Sequence, residues 1–249
     1  MRYAAIGDSF TEGIGDELPD GTPRGWADLV AAGLAASSDE PMFYANLAVR
    51  GRLLGPIVHE QVPEALALTP PPTLVTLNGG GNDIMRPGVE PAELLTLTEQ
   101  AVVRFQQAGV RVVLLSGADP SDGLPFGRTI HRRGIELTAG VADLARRYGT
   151  TFVDAFGDAE LRRGPYWSPD RLHLGPAGHR RVADLVLTAL GHPPTAQPAP
   201  SAAAARTVTA ELRYYRQHVL PWLTRRLRGQ SSGDGRSGRH ATWERIEPS

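Results

Sequence analysis

Short runs of Val, Leu and Ile alternate along the chain with longer segments in which apolar residues recur at helical spacing. Such alternation predicts a parallel sheet buried on both faces and flanked by helices. Strands are predicted over residues 2–6, 42–47, 74–77, 110–115 and 151–153, and helices over 26–36, 57–68, 91–108, 129–148 and 176–190. Pro91 suits a first helical turn, and Gly109 and Gly149 stand where a C-terminal cap is expected.

Past residue 190 the pattern changes. Residues 191–206 are rich in Pro and Ala and read as a semi-extended linker, so the main domain is expected to span 1–190. Val208, Leu212, Tyr215, Val219 and Trp222 then recur every three or four positions, which predicts an amphipathic helix over 207–228. The Gly/Ser/Arg composition of 229–249 predicts disorder. Charge follows the same division. Residues 1–205 hold 17 Arg against 23 acids, a balance of −6, and 206–249 hold 9 Arg against 4 acids, a balance of +5. The basic tail helix could meet an acidic lipid or nucleic acid, but its apolar stripe favours packing on the domain, and no nucleic-acid partner is expected.

The 249 residues include no Cys, which removes disulfides, thiol nucleophiles and cysteine metal sites. No H-E-x-x-H set, Gly-Lys-Ser/Thr phosphate loop or strand-borne G-x-G-x-x-G occurs, so neither a metal nor another cofactor is expected. No apolar run is long enough to span a membrane, and the opening residues are too short a run for a secretory signal; a cytoplasmic location is the expectation. Oligomeric state is not legible.

The candidate chemistry lies at strand ends. Ser9, in Gly7-Asp8-Ser9 after the first strand, occupies the edge of an open α/β sheet where ligands bind. By itself the triplet also fits a turn with an N-capping serine. A serine needs a base to take its proton. Of seven histidines only His173 has an aspartate, Asp170, three residues before it in a loop opening a helix, so that Asp170 could hold Nδ1 while Nε2 faces Ser9. Oxyanion donors are expected from the Asn82 side chain, the Gly51 amide and the Ser9 amide. Asp83 is expected to orient Asn82, Asp154 is a reserve acid, and His179 is expected to be structural. The Gly229–Gly233 stretch matches G-x-S-x-G but lacks the strand that such an elbow requires. Loops 14–24 and 118–128 are expected to shape the pocket.

Gly7-Asp8-Ser9, Gly51, Gly80-Gly81-Asn82-Asp83 and Asp170-Arg171-Leu172-His173 resemble, in order, the four sequence blocks of the SGNH hydrolases, the GDSL-type lipases and esterases. The resemblance covers about residues 1–190; Leu174-Gly175-Pro176 after the histidine departs from the more usual nearby proline. It implies a flavodoxin-like three-layer α/β/α sandwich on a mostly parallel five-stranded sheet. It also implies a serine esterase with Ser9, Asp170 and His173 as triad and Ser9, Gly51 and Asn82 as oxyanion hole, acting on a small-molecule ester of a short acyl group, a lipid or an acetylated sugar. An acyltransferase or a non-catalytic acyl- or glycan-binding module of the same fold are the alternatives, separable by product ratio and by fluorophosphonate labelling.

Overall fold

The computed structural model describes residues 1–124, 126–194, 235 and 238–248. Strands β1 (Arg2–Ile6), β2 (Met42–Asn46), β3 (Leu74–Leu77), β4 (Arg111–Leu115) and β5 (Thr151–Val153) run parallel in the order β5-β4-β3-β1-β2. Because helices cover both faces, the strands carry apolar residues on both, and successive side chains go to opposite cores. Tyr3 and Ala5 of β1 join a core with Trp26, Val30 and Leu34 of α2 (Trp26–Ala36) and Val182 and Val186 of α8 (Pro176–Leu190). Ala4 and Ile6 join the other core, against a helical run made of α3 (Leu54–Pro56), a π turn (Ile57–Gln61) and α4 (Val62–Ala67), together with α6 (Pro91–Gln107) and α7 (Gly127–Tyr148). Two short helices, α1 (Ser9–Glu12) and α5 (Gly81–Ile84), follow β1 and β3 directly.

The expected three-layer α/β/α arrangement is present, with one correction. The sheet has six strands rather than five: β6 (His240–Ile246) pairs antiparallel with the outer edge of β2. It comes from 229–249, a segment for which disorder was expected. Tertiary contacts hold it. The Arg239 guanidinium lies 2.6 Å from both carboxylate oxygens of Asp28 in α2, and the Trp243 indole N–H donates to the Pro70 carbonyl at 2.9 Å. Neither contact is visible in a local Gly/Ser/Arg composition. The predicted helix over 207–228, residues 195–206 of the linker and the 229–233 elbow look-alike lie outside the described residues. Among the described residues no helix is long and apolar enough to cross a membrane.

From β1 the chain passes to β2 on one side, then returns across β1 to β3 on the other. The loops after β1 and β3 therefore part at the carboxyl edge, where open α/β sheets form their crevice.

Candidate active site

Ser9 is the first residue of α1, and Asp8 caps that helix by accepting the Phe10 amide at 3.0 Å. The residue before the cap must be glycine: a Cβ on Gly7 would stand 2.5 Å from Thr11 Oγ1 and 2.9 Å from the Asn78 carbonyl oxygen. Gln61, buried in the π turn, grips Gly7 at both backbone groups, accepting its N–H at 2.8 Å and donating to its carbonyl at 3.0 Å. A primary amide thus gives the Gly7 N–H its acceptor and joins the Val49 amide, at 3.2 Å, on the Gly7 carbonyl. π turns recur at functional sites, and here the widened turn carries the residue that fixes the serine's turn.

His173 arrives in a loop closed by the Ser168 amide on the His173 carbonyl at 2.9 Å, with Arg171 in a left-handed conformation. The two oxygens of Asp170 divide the work. Oδ1 accepts the Ser168 hydroxyl at 2.6 Å and the Leu172 and His173 amides at 3.0 Å each, whereas Oδ2 lies 2.6 Å from His173 Nδ1. Burial alone would raise the Asp170 pKa, but the hydrogen bonds and charge of His173 outweigh it and hold the group below the usual carboxylate range. Asp170 is therefore an anion that fixes the ring. Nε2 of His173 then stands 3.1 Å from Ser9 Oγ, across 164 positions of sequence. The fold brings all three predicted residues into one hydrogen-bonded chain.

The oxyanion side departs from expectation in its details. Asn82 donates its amide hydrogens to Asp8 Oδ2 at 3.0 Å and to the Arg52 carbonyl at 3.0 Å, so Asp8, not Asp83, orients it. Asp83 instead accepts the Leu54 amide at 3.0 Å and pins the start of α3. Gly51, with φ 74°, lies between two anchored residues. On one side Glu12 of α1 accepts the Arg50 backbone amide at 2.6 Å and its guanidinium at 2.9 and 2.5 Å, and on the other Arg52 binds Asn82. The Gly51 loop is thus clamped to the serine's own helix. Sequence reasoning missed Gln61, Glu12, Arg50 and the Asp8 contact; only the placement of Asp8 and Glu12 inside the Ser9 block offered a signal.

Burial pushes Asp8 up to about 6, against the opposing pull of the Phe10 amide and the His173 charge. His179 is fully buried, accepts the Trp26 amide at 3.2 Å and faces the Ile14 carbonyl at 3.1 Å through its other nitrogen; burial pulls it down to about 4. It is the structural histidine the sequence suggested. Asp154 binds Ser116 and the Gly157 amide, and Asp170 occupies the place for which it was the reserve. Among the described residues no group of three or more His, Asp or Glu is arranged to hold a metal ion.

Ser9, Asn82 and His173 open onto a cleft of about 110 Å³. Of the two loops expected to shape it, 118–128 contributes Ala118 and Pro120, whereas 14–24 contributes no lining residue. Gly51 lies outside the lining as well.

The comparisons with known proteins agree with this architecture. The model of the GDSL-like lipase/acylhydrolase family matches residues 5–181. Among solved structures, TesA superposes with a TM-score of 0.62 at 24% identity, covering 76% of this chain and 98% of its own. The acetylxylan esterase Axe2 of Geobacillus stearothermophilus, as a catalytic mutant, gives 0.62 at 19% identity over 79% and 97% of the two chains. The psychrotrophic esterase EstA of a Pseudoalteromonas species gives 0.60 at 18% identity over 76% and 96%. At these identities the likeness is one of fold. No curated protein sequence matches the chain significantly. The family match spans all four blocks and covers well over half of the sequence: the chain belongs to the GDSL-like lipase/acylhydrolase family.

Proposed function

We propose that the protein hydrolyses a carboxylic ester through an acyl-serine intermediate. The observation that carries this is the continuous relay from Asp170 Oδ2 to His173 Nδ1 at 2.6 Å and from His173 Nε2 to Ser9 Oγ at 3.1 Å. Asp170 fixes the tautomer with the proton on Nδ1, leaving Nε2 to accept the serine proton as Oγ attacks the ester carbonyl carbon. Negative charge moves onto the carbonyl oxygen. The amides of Ser9 and Gly51 and the side chain of Asn82 receive it, with Asn82 anchored on Asp8 and turning its second hydrogen from the Arg52 carbonyl to the oxyanion. As the carbon–oxygen bond to the alcohol breaks, His173 returns the proton to the departing oxygen. Water then attacks the acyl-serine, again losing its proton to His173, and releases the acid and free Ser9.

Replacing Ser9 by Ala is expected to lower kcat/KM on p-nitrophenyl esters by about 10⁴-fold or more and to abolish labelling by a fluorophosphonate. A Ser9→Ala protein with undiminished turnover would refute the assignment.

A further inference from the structure

We propose that Glu12 is a positioning residue for ester hydrolysis, holding the turn from Val49 to Arg52 in the form that directs the Gly51 amide at the oxyanion; this rests on the esterase reading above. The Val49 carbonyl accepts the Arg52 amide at 3.3 Å, which closes a four-residue turn with Arg50 and Gly51 at its centre. Gly51 has φ 74°, whereas φ of Arg50 is negative. That combination is a type II turn, whose third residue needs a positive φ. Type I and type II turns differ by rotation of the central peptide, so the turn type decides to which face the Gly51 N–H points.

The groups around that central peptide are pinned. The Val49 amide donates to the Gly7 carbonyl at 3.2 Å, the Arg50 amide donates to Glu12 Oε2 at 2.6 Å, and the Arg52 carbonyl accepts from Asn82 at 3.0 Å. Glu12 Oε1 takes the Arg50 guanidinium at 2.9 and 2.5 Å, so backbone and side chain of Arg50 are fixed by one carboxylate. Glu12 is itself buried, and a buried acceptor holds an amide more firmly than one shared with water. The peptide joining Arg50 to Gly51 has no hydrogen-bond partner among the described residues. An open N–H between fixed neighbours suits an oxyanion donor, because no bond has to break as the charge develops. Glu12 also lies in α1, which begins with Ser9, so one short helix sets both nucleophile and donor.

The test uses the full-length protein with p-nitrophenyl acetate, and counts working sites by fluorophosphonate labelling of Ser9. Glu12→Gln keeps the size of the side chain but weakens its hold on Arg50. Turnover per labelled site should fall about 10- to 100-fold with KM within about twofold, because the interaction lost is one made in the transition state. Phenylboronic acid, whose tetrahedral adduct on Ser9 places an oxygen where the oxyanion forms, should inhibit more weakly by the same factor. Glu12→Asp, which draws the carboxylate back by one methylene, should lose turnover in the same way, and it serves if the glutamine variant does not fold. Proline lacks the N–H that Glu12 grips yet favours the second position of a type II turn, so adding Arg50→Pro to Glu12→Gln should restore most of the lost turnover. Gly51→Ala should lose about 10²-fold and Gly51→Asn about tenfold less than that, since asparagine tolerates a positive φ. Wild-type turnover per labelled site in both Glu12 variants, unchanged boronate inhibition, no rescue by proline, or equal losses in the two Gly51 variants would overturn this inference and leave the esterase reading standing. Absence of turnover and of label in the wild type would sink both.

Discussion

His173 and His131 hold an aspartate through Nδ1 at almost the same distance, 2.6 Å to Asp170 and 2.7 Å to Asp119, yet the two pairs have different surroundings. Asp170 is fastened by a hydroxyl and two backbone amides, donors with no formal charge, so its negative charge remains available to the imidazole. Asp119 shares its carboxylate between His131 and the Arg162 guanidinium at 3.0 Å, which neutralises it. The far nitrogen of His173 meets Ser9, whereas the His131 ring stacks on Phe156 with centroids 5.5 Å apart. A His–Asp contact is therefore not by itself a catalytic base. What the aspartate's other partners leave of its charge, and what the second nitrogen faces, decide the outcome.

The sharpest way to break that contrast is the same substitution in both pairs. Asp170→Asn should keep the loop's hydrogen bonds but lose the anion that sets the tautomer, with a fall in kcat of about 10⁴-fold. Asp119→Asn should change kcat less than tenfold. Its effect belongs to stability, a loss of about 1–3 kcal/mol as Arg162 and His131 lose their shared anion, read by urea denaturation. Equal catalytic losses in the two variants would erase the distinction.

Asp8 offers a finer test, because its charge costs stability while serving the site. Its pKa stands near 6 in the folded protein against 3.8 when exposed, so the native state binds the proton more tightly and Asp8's contribution to stability declines as pH rises from 3.8 through 6. At pH 7 the cost is about 3 kcal/mol, since each pKa unit is worth 1.36 kcal/mol. Asparagine can keep the cap on Phe10 through its carbonyl oxygen, but its NH₂ then faces the Asn82 NH₂, so the Asn82 contact is lost. Relative to wild type, Asp8→Asn should therefore gain up to about 3 kcal/mol of stability as pH rises from below 4 to above 6, offset at every pH by about 1 kcal/mol for the lost Asn82 bond. Turnover should fall about tenfold, because the anion that favours a cationic His173 during acylation is gone. His179 works with the opposite sign. Its folded pKa lies below the ordinary 6.5, so its stabilisation is complete above 6.5 and is lost as pH falls towards 4. The difference between the two proteins cancels that common slope.

The elements that carry this contrast were unequally legible. Strands 2–6, 74–77 and 151–153 coincide with the observed β1, β3 and β5, because short apolar runs closed by turns have few other solutions. Ser9, Asp170 and His173 could be singled out because each sits at an element boundary and because Asp170 and His173 are local neighbours. Long-range polar contacts left no such trace. Gln61 meets Gly7 across 54 positions, Arg50 meets Glu12 across 38, and Asn82 meets Asp8 across 74. In a helix a glutamine reads as a solvated face, and nothing in its neighbours reveals that a turn elsewhere needs an amide. β6 was hidden for the same reason: its order is supplied by the edge of β2 and by Asp28, not by its own residues.

That edge supplies the mildest test, and it extends the contrast to an ion pair with no route to the serine. Arg239 and Asp28 join β6 to α2 on the flank of the sheet, with side chains only 16% and 18% exposed. Burial raises the Asp28 pKa and Arg239 pulls it back, so removing the arginine leaves a mostly buried carboxylate that is easier to protonate, with His240 4.0 Å away. Protonation limits the damage. Arg239→Ala is expected to cost about 1–2 kcal/mol at neutral pH, less at pH 4, where Asp28 neutralises readily. Amide exchange in β6 should quicken relative to β1, since the strand loses its tie while the sheet centre keeps both neighbours. Esterase activity per folded molecule should be unchanged. A loss of turnover in this variant would mean that the sheet edge and the catalytic loops are energetically coupled, and that staple and relay are not the separate devices that the two His–Asp pairs suggest.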